Sequence, residues 1–339
     1  MSADGVLGQR RILVTGVGGA PAFDLARLLL RAGHEVIAAD CDHLAPGLLI
    51  PGAVARLTAQ CTDARYERDL LELCEQLHPD AIFSGVEQEL PLLLRMRPHL
   101  QGLKVRTWLP PADAVAACVD KARFARVLRE HAIPAPGTWL PHRLHEARTS
   151  GGALIVKPRH GQGSKNVHVC ATRAQAKVLC QLVPDPIVQE YVEGEEFTAD
   201  CLTGPDARSS VILRRRLLIK GGLAMVSETF RHGGAEDAVR RTLSALGMTG
   251  VCCVQGLIRA DDTAVITEAN ARFAGAFLAS VAAGADLVSQ ALRGVFGFDI
   301  DHERLRYRPG VRTTKYVETF AAATGAGADL EVTDADRRD

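Results

Sequence analysis

The sequence contains no apolar run of the ~18 residues that a membrane-spanning helix needs. It carries no net charge, with 40 Lys and Arg against 40 Asp and Glu. That balance argues against a nucleic-acid binder working through a basic surface. The nine cysteines are odd in number and none forms Cys-x-x-Cys. Neither a disulfide framework nor a zinc site fits this pattern; reduced, mostly buried thiols are expected, with Cys252 and Cys253 adjacent on an apolar strand. The first residues, MSADGVLGQRR, have no apolar core, so no secretory leader and a cytoplasmic location are expected. There is no Walker A spacing and no Tyr four residues before a Lys. This removes the common phosphate-loop and short-chain reductase patterns.

What is present is an ordinary globular balance, 47% apolar and 24% charged in 339 residues, enough for two or three compact units. Arg11–Thr15 reads as a buried strand. It runs into Gly16-Val17-Gly18-Gly19-Ala20-Pro21, a helix carrying Leu25, Leu28 and Leu29, and a second strand at Glu35–Asp40. This βαβ unit opens a doubly wound sheet. A dinucleotide reading would put Asp40 on a ribose, but Pro21 stands where the third glycine of G-x-G-x-x-G belongs. A helix at Tyr66–Leu77 and a strand at Asp80–Ser84 continue the alternation. Glu87 and Glu89 follow that strand, where open α/β sheets bind ligands. They read either as holders of a substrate ammonium or as a solvated helix start. Pro110-Pro111 marks the end of this unit.

The stretch Val265–Gly275, VITEANARFAG, organises the rest. Glu268 and Asn270 are two apart on a strand and so leave the same face; Arg272 follows as the strand ends. Hard oxygen ligands suit Mg²⁺ that shares its shell with phosphates, and Arg is the natural fork for a phosphoryl or carboxylate group. The same pattern also fits an edge strand facing water. Val251–Arg259 precedes it across the turn Asp261-Asp262-Thr263, as in a hairpin. Gln255 would then lie beside Glu268 and offer a third oxygen, or bond to a neighbouring backbone.

Upstream, a helix at Val119–His131 carries Lys121, and a strand at Leu154–Pro158 carries Lys157. The loop Gly161-Gln162-Gly163-Ser164-Lys165 leads to a strand at Val167–Cys170 and reads as a flap over phosphates or as a plain hairpin loop. Thr172 caps a helix to Leu182, and Ile187–Val192 is a strand. Val211–Leu218 and Leu223–Phe230 read as strands with Arg214–Arg216 between them; Glu228, Arg231 and His232 lie in the following loop. Helices at Asp237–Leu246 and Ala285–Phe296, a last strand at Arg312–Phe320 and a disordered tail at Ala321–Asp339 complete the reading.

The order of these pieces resembles the ATP-grasp superfamily. The residues that carry the likeness are D-K-x-x-F at Asp120–Phe124, L-I-V-K-P at Leu154–Pro158, the G-x-G-S flap, Q-E-Y-V-x-G-x-E-F at Gln189–Phe197, the strand Gln255, and E-x-N-x-R at Glu268–Arg272. The branch most similar holds the carbamoyl phosphate synthetase large subunit and amino-acid ligases. The resemblance implies an α/β fold: a Rossmann-like N-terminal unit at 1–110, an ATP-grasp small lobe at 111–186, a C-terminal lobe at 187–320 and the tail at 321–339.

It also implies roles for particular residues. Lys121 and Lys157 would contact ATP phosphates, with Gly161, Gly163, Ser164 and Lys165 as the flap. Glu190, Tyr191 and Val192 would be the adenine hinge and Glu196 the ribose acid. Gln255, Glu268 and Asn270 would hold Mg²⁺ or Mn²⁺. Arg272 would steady the transferred phosphoryl. Two departures stand out: Ala271 replaces the usual Pro between Asn270 and Arg272, and Asn166 stands where the flap often has a glycine. The implied activity is ADP-forming ligation of a carboxylate to an amine, with amino acids as expected substrates and a homodimer as the expected assembly. A carboxyl-phosphate-forming enzyme acting on bicarbonate and a nucleotide-binding protein without activity are the alternatives.

Overall fold

The computed structural model describes residues 7–147, 152–161, 163 and 165–321. The chain divides into two compact units. One holds the residues up to Leu109 with Asp286–Ile300 and the chain from Tyr316; the other holds Pro110–Ala285 and Asp301–Lys315. Among the described residues no helix is long and apolar enough to cross a membrane. All nine cysteines are free thiols, Cys252 and Cys253 among the buried ones.

The first unit is built on a parallel sheet of β1 (Arg11–Thr15), β2 (Glu35–Asp40), β3 (Ala53–Leu57) and β4 (Ala81–Ser84), in the order β3-β2-β1-β4. Ile12, Leu13 and Val14 are fully buried, the continuous apolar run of a strand in a helix-covered sheet. The helices are α1 (Ala20–Arg31), α2 (Tyr66–Leu77) and α3 (Leu90–Gly102). Asp40 closes the glycine turn after β1. Its carboxylate accepts from the Gly18 amide at 2.7 Å and the Asp42 amide at 3.0 Å. Both oxygens are committed to backbone donors, so Asp40 is not set to meet a ribose.

Glu87 and Glu89 lie on a 3₁₀ turn after β4 and are only 4% and 6% exposed, so they are not a solvated helix start. Oε2 of Glu89 accepts from the Ser84 hydroxyl at 2.7 Å and from the Thr15 hydroxyl, joining the ends of β4 and β1. The strand order reverses at these two neighbours, the place where such sheets usually receive a ligand. Here the chain fills it with its own carboxyl. Burial pushes the Glu89 carboxyl above its ordinary value, although the Thr15, Ser84 and Tyr66 hydroxyls pull it down; the Asp40 charge adds to the rise.

The second unit begins with α4 (Ala112–Val119) and α5 (Lys121–Glu130). The single helix expected at Val119–His131 is interrupted because Asp120 leaves helical geometry and caps α5, accepting from the Ala122 and Arg123 amides at 3.0 and 3.1 Å. A small antiparallel sheet follows: β5 (Thr138–Trp139), β6 (Leu154–Pro158), β7 (His168–Cys170), α6 (Arg173–Leu182) and β8 (Pro186–Glu190), with strand order β5-β8-β6-β7. Leu154, Val156 and Val188 pack against Ala176 of α6, which starts at a capping box between Thr172 and Gln175.

The larger antiparallel sheet takes β9 (Glu195–Thr203), β10 (Ser209–Lys220), β11 (Leu223–Thr229), α7 (Gly233–Leu246), β12 (Gly250–Ile258), β13 (Ala264–Asn270) and α8 (Leu278–Ala282) in chain order; α9 (Leu287–Val295) belongs to the first unit, and β14 (Arg312–Thr314) returns to the large sheet. Its strands lie β13-β12-β9-β10-β11-β14. Arg214–Arg216 lie inside β10 rather than between strands, because the hairpin turns at Gly221-Gly222, both at positive φ. Arg214 and Asp200 are 2% and 1% exposed and pair at 2.9 Å, and Ser280 of α8 donates to the same carboxylate at 2.5 Å. The last strand stops at Thr314, short of the expected Phe320. Beyond Lys315 the chain joins the first unit, where Glu318 pairs with Arg27 at 2.7 Å and Phe320 meets Phe23 at 5.7 Å. The expected disordered tail falls, from residue 322, outside the described residues.

Two stability tests follow from these buried carboxyls. Asp200→Ala leaves Arg214 as a buried unpaired charge and should lower unfolding free energy by about 3–5 kcal/mol in urea denaturation; a loss below 1 kcal/mol would contradict the pairing. Glu89 has a raised value in the folded state, so its contribution is complete at acid pH, below the ordinary carboxyl range, and declines as pH rises toward the raised value. The Tm of Glu89→Gln should therefore gain on wild type with rising pH, and parallel Tm–pH curves would count against the buried acid.

Candidate active site

Strand register lays out the site. β12 and β13 form the expected hairpin with Gln255 opposite Glu268 and Cys253 opposite Asn270. The next pair is Gly256 with Ile266, so Thr267 is an extra residue and β13 bulges there. Asn270 is 2% exposed and its amide donates to Glu268 Oε1 at 3.1 Å. Arg272 Nη2 reaches Asn270 Oδ1 at 3.4 Å and Nη1 bonds the Phe273 carbonyl at 2.8 Å. Its Nε is buried and has no acceptor among the described residues. Acid, amide and guanidinium are thus one contiguous group.

The same sheet face continues through β9 and β10. Thr198 stands beside Gln255 and Arg214 beside Thr198; in the next row Glu196 stands beside Leu257 and Arg216 beside Glu196. Glu196, the expected ribose acid, is bound by Arg216 at 2.7 Å, and Arg216 also donates to the Gly222 carbonyl at 2.8 Å. The Glu268 charge reaches Arg216 as well. Sequence reasoning did not select Arg216. Its signal was Arg214 and Arg216 two apart on an apolar strand, hence on one face.

Lys157 on β6 supplies a cation from the small sheet. Burial brings its ammonium down to about 8; the Glu268 charge opposes that and the Lys121 charge adds to it. Lys121 donates to the Gly161 carbonyl at 2.7 Å and so grips the first glycine of the flap. Arg159 forks onto Asp120 at 2.7 and 2.6 Å and fixes the flap base to the start of α5. Asn166 has φ 56°, the left-handed conformation that Asn tolerates best after glycine, which accounts for its place in a glycine-type position. Lys165 and Gly163 are exposed, and Ser164 lies outside the described residues. On the β8 side, the Glu190 amide donates to the Gly137 carbonyl at 2.8 Å and its carboxylate accepts from the Gly137 amide at 3.3 Å. Tyr191 is 38% exposed and Val192 half-buried.

Among the described residues no group of three His, Cys, Asp or Glu could hold a metal ion. The donors at β12 and β13 are one carboxylate and two amide oxygens. That set is too weakly charged for an all-protein cage and fits Mg²⁺ or Mn²⁺ whose remaining ligands are phosphate oxygens and water. Arg231 and His232 stand outside this group. Arg231 stacks on the Tyr307 ring at 3.7 Å and pairs with Glu236 at 3.3 Å. His232 caps α7 through the Ala235 amide at 3.0 Å and meets Asp262 at 3.0 Å.

Residues 118–276 match the family model described as an ATP-grasp domain, and residues 12–107 match a PylC-like N-terminal domain. The chain is 22% identical over 235 residues to the carbamoyl phosphate synthase large chain of Rubrobacter xylanophilus; this covers 60% of the chain and 21% of that protein. The chain therefore spans about a fifth of the length of that relative. An L-amino acid ligase from Bacillus licheniformis superposes with TM-score 0.72 at 16% identity, covering 89% of this chain and 78% of the other. The biotin carboxylase domain dimer of Hydrogenobacter thermophilus 2-oxoglutarate carboxylase, solved with MgADP, ADP and bicarbonate, gives 0.69 at 14% identity, covering 88% and 72%. The chain thus carries a region matching the ATP-grasp domain, preceded by a region matching a PylC-like N-terminal domain that is built on a parallel, Rossmann-like sheet.

Lys157 must be protonated to attract phosphate. Affinity for ATP should hold below pH 8 and weaken above it, by up to about tenfold per pH unit. Lys157→Arg, which stays charged, should flatten that profile in calorimetric titrations. A wild-type profile already flat from pH 7 to about 9 would remove Lys157 from the phosphate site.

Proposed function

We propose that this protein is an ADP-forming carboxylate–amine ligase whose substrates are amino acids or similarly small amines and acids. The convergence of Lys157, Glu268, Asn270 and Arg272 within the ATP-grasp domain carries this reading. A carboxylate is a poor acyl donor because its leaving group would be oxide. Transfer of the γ-phosphoryl of ATP to a carboxylate oxygen makes the P–O bond, breaks the bond to ADP and turns that oxygen into a phosphate leaving group. The amine nitrogen then bonds to the acyl carbon, the C–O bond to phosphate breaks, and the amine proton leaves with phosphate.

The residues serve this chemistry by charge and position. Lys121 and Lys157 bind phosphate oxygens, and the flap from Gly161 to Lys165 closes over them to keep water from the acyl phosphate. Glu190, Tyr191 and Val192 border the adenine, and Glu196 lies toward the ribose with Arg216 as its partner. Gln255, Glu268 and Asn270 would hold Mg²⁺, which would supply positive charge at the phosphate oxygens. Arg272, held beside Asn270, balances charge that grows on the transferred group in the transition state. The carboxylase neighbour solved with bicarbonate favours, as a second reading, phosphorylation of bicarbonate at this same centre. The reading includes a homodimer, in keeping with the dimer described for that neighbour.

The test is ADP release with Mg²⁺-ATP across single and paired amino acids, amines and bicarbonate. Turnover should require one particular acid–amine pair. It should fall by about 10²–10³-fold in Arg272→Ala and collapse in Glu268→Ala. Release driven by bicarbonate alone selects the second reading. ATP binding without turnover on any pair leaves a nucleotide-binding protein instead.

A further inference from the structure

We propose that the hollow beside the connection from α5 to β5 is a regulatory site for a small carboxylate with an apolar body. The cavity measures about 420 Å³, within the size of small-molecule sites. Its lining includes Ala125 and Arg129 of α5 with Pro134, Pro136, Gly137 and Trp139. The indole of Trp139 lies against Gly137: a Cβ there would come within 2.4 Å of the ring. Aromatic, proline and alanine surface therefore receives an apolar body. Arg129, exposed at the edge of the hollow, is the one charged residue of the lining, and it forms no ion pair with an acid among the described residues. A carboxylate can form a charge-assisted fork with that guanidinium in exchange for its water; a neutral or cationic head group cannot.

The wall of this hollow connects two parts of the active site. The Pro134 carbonyl accepts from the Ile266 amide of β13 at 2.8 Å, two residues before Glu268. Three residues on, Gly137 exchanges two hydrogen bonds with Glu190 at the end of β8. Thr138 then receives a bond from the Gln189 side chain at 3.0 Å. Pro134 and Pro136 stiffen the segment between these anchors. An occupant pressed against this strut acts on the metal-bearing strand and the β8 connector together, so it changes nucleotide affinity. This coupling rests on the nucleotide reading of the cleft; occupation of the hollow does not.

Calorimetric titration of the full chain with 3-phenylpropionate tests both halves. Saturable 1:1 binding is expected, weakened roughly tenfold or more in Arg129→Gln. The uncharged 3-phenylpropanamide should bind wild type about as weakly as the acid binds the variant. With the probe saturating, ATP affinity should shift several-fold, and ATP should shift probe affinity by the same factor. Absence of saturable binding overturns the site, as does equal binding of acid and amide or indifference to Arg129→Gln. Binding of both ligands without mutual effect overturns the regulatory role. Probe binding with no ATP binding at all upholds the site and sinks the nucleotide reading.

Discussion

Cations from two sheets converge on one carboxylate, Glu268. Its charge reaches Lys157 on the small sheet and Arg216 on the large one. Lys121 works against it by adding a like charge beside Lys157. Such a cluster is poorly balanced by the protein alone. Like charges held together in a partly desolvated space raise the energy of the free state, and polyanionic phosphates relieve it. The proposed phosphate and divalent-cation ligands would relieve that imbalance together.

That convergence needs rigid support, and the support is polar where a sheet would ordinarily be apolar. Asp200, Arg214 and Ser280 tie β9, β10 and α8 together on the face that carries Glu268 and Asn270. Replacement by apolar residues could be as stable, so the network is better understood as fixing which way these strands and the loop after Asn270 sit. Arg159 and Asp120 act similarly at the base of the glycine loop, where the fork and backbone bonds hold Arg159 to the start of α5.

The N-terminal unit shows the opposite use of the same chemistry. Asp40 and Glu89 stand at positions where doubly wound sheets often meet nucleotides, yet each is satisfied internally by amides or hydroxyls. Buried polar groups without partners are costly, and a fold that lacks a ligand at its strand ends must fill those ends itself. The proposed chemistry rests instead on the acid–amide–guanidinium group of the second unit.

Local pattern in the sequence was sufficient for much of this. Period-two alternation placed Glu268 and Asn270 on one face, and the short polar turn at Asp261-Asp262-Thr263 paired their strand with that of Gln255. The βαβ start and the helix at Tyr66–Leu77 followed from periodicity and turn residues. These are properties of neighbours in the chain, which hydrophobic pattern and backbone preference largely determine. Tertiary structure decided the rest, because those outcomes depend on partners far away in sequence. Asp120 broke a helix that its sequence would continue, since its side chain caps α5 and anchors Arg159. Glu89 became a buried bridge because β1 and β4 are neighbours in the sheet. Arg216 came to Glu196 through strand pairing, and His232 was taken up in capping α7, neither of which a local pattern encodes.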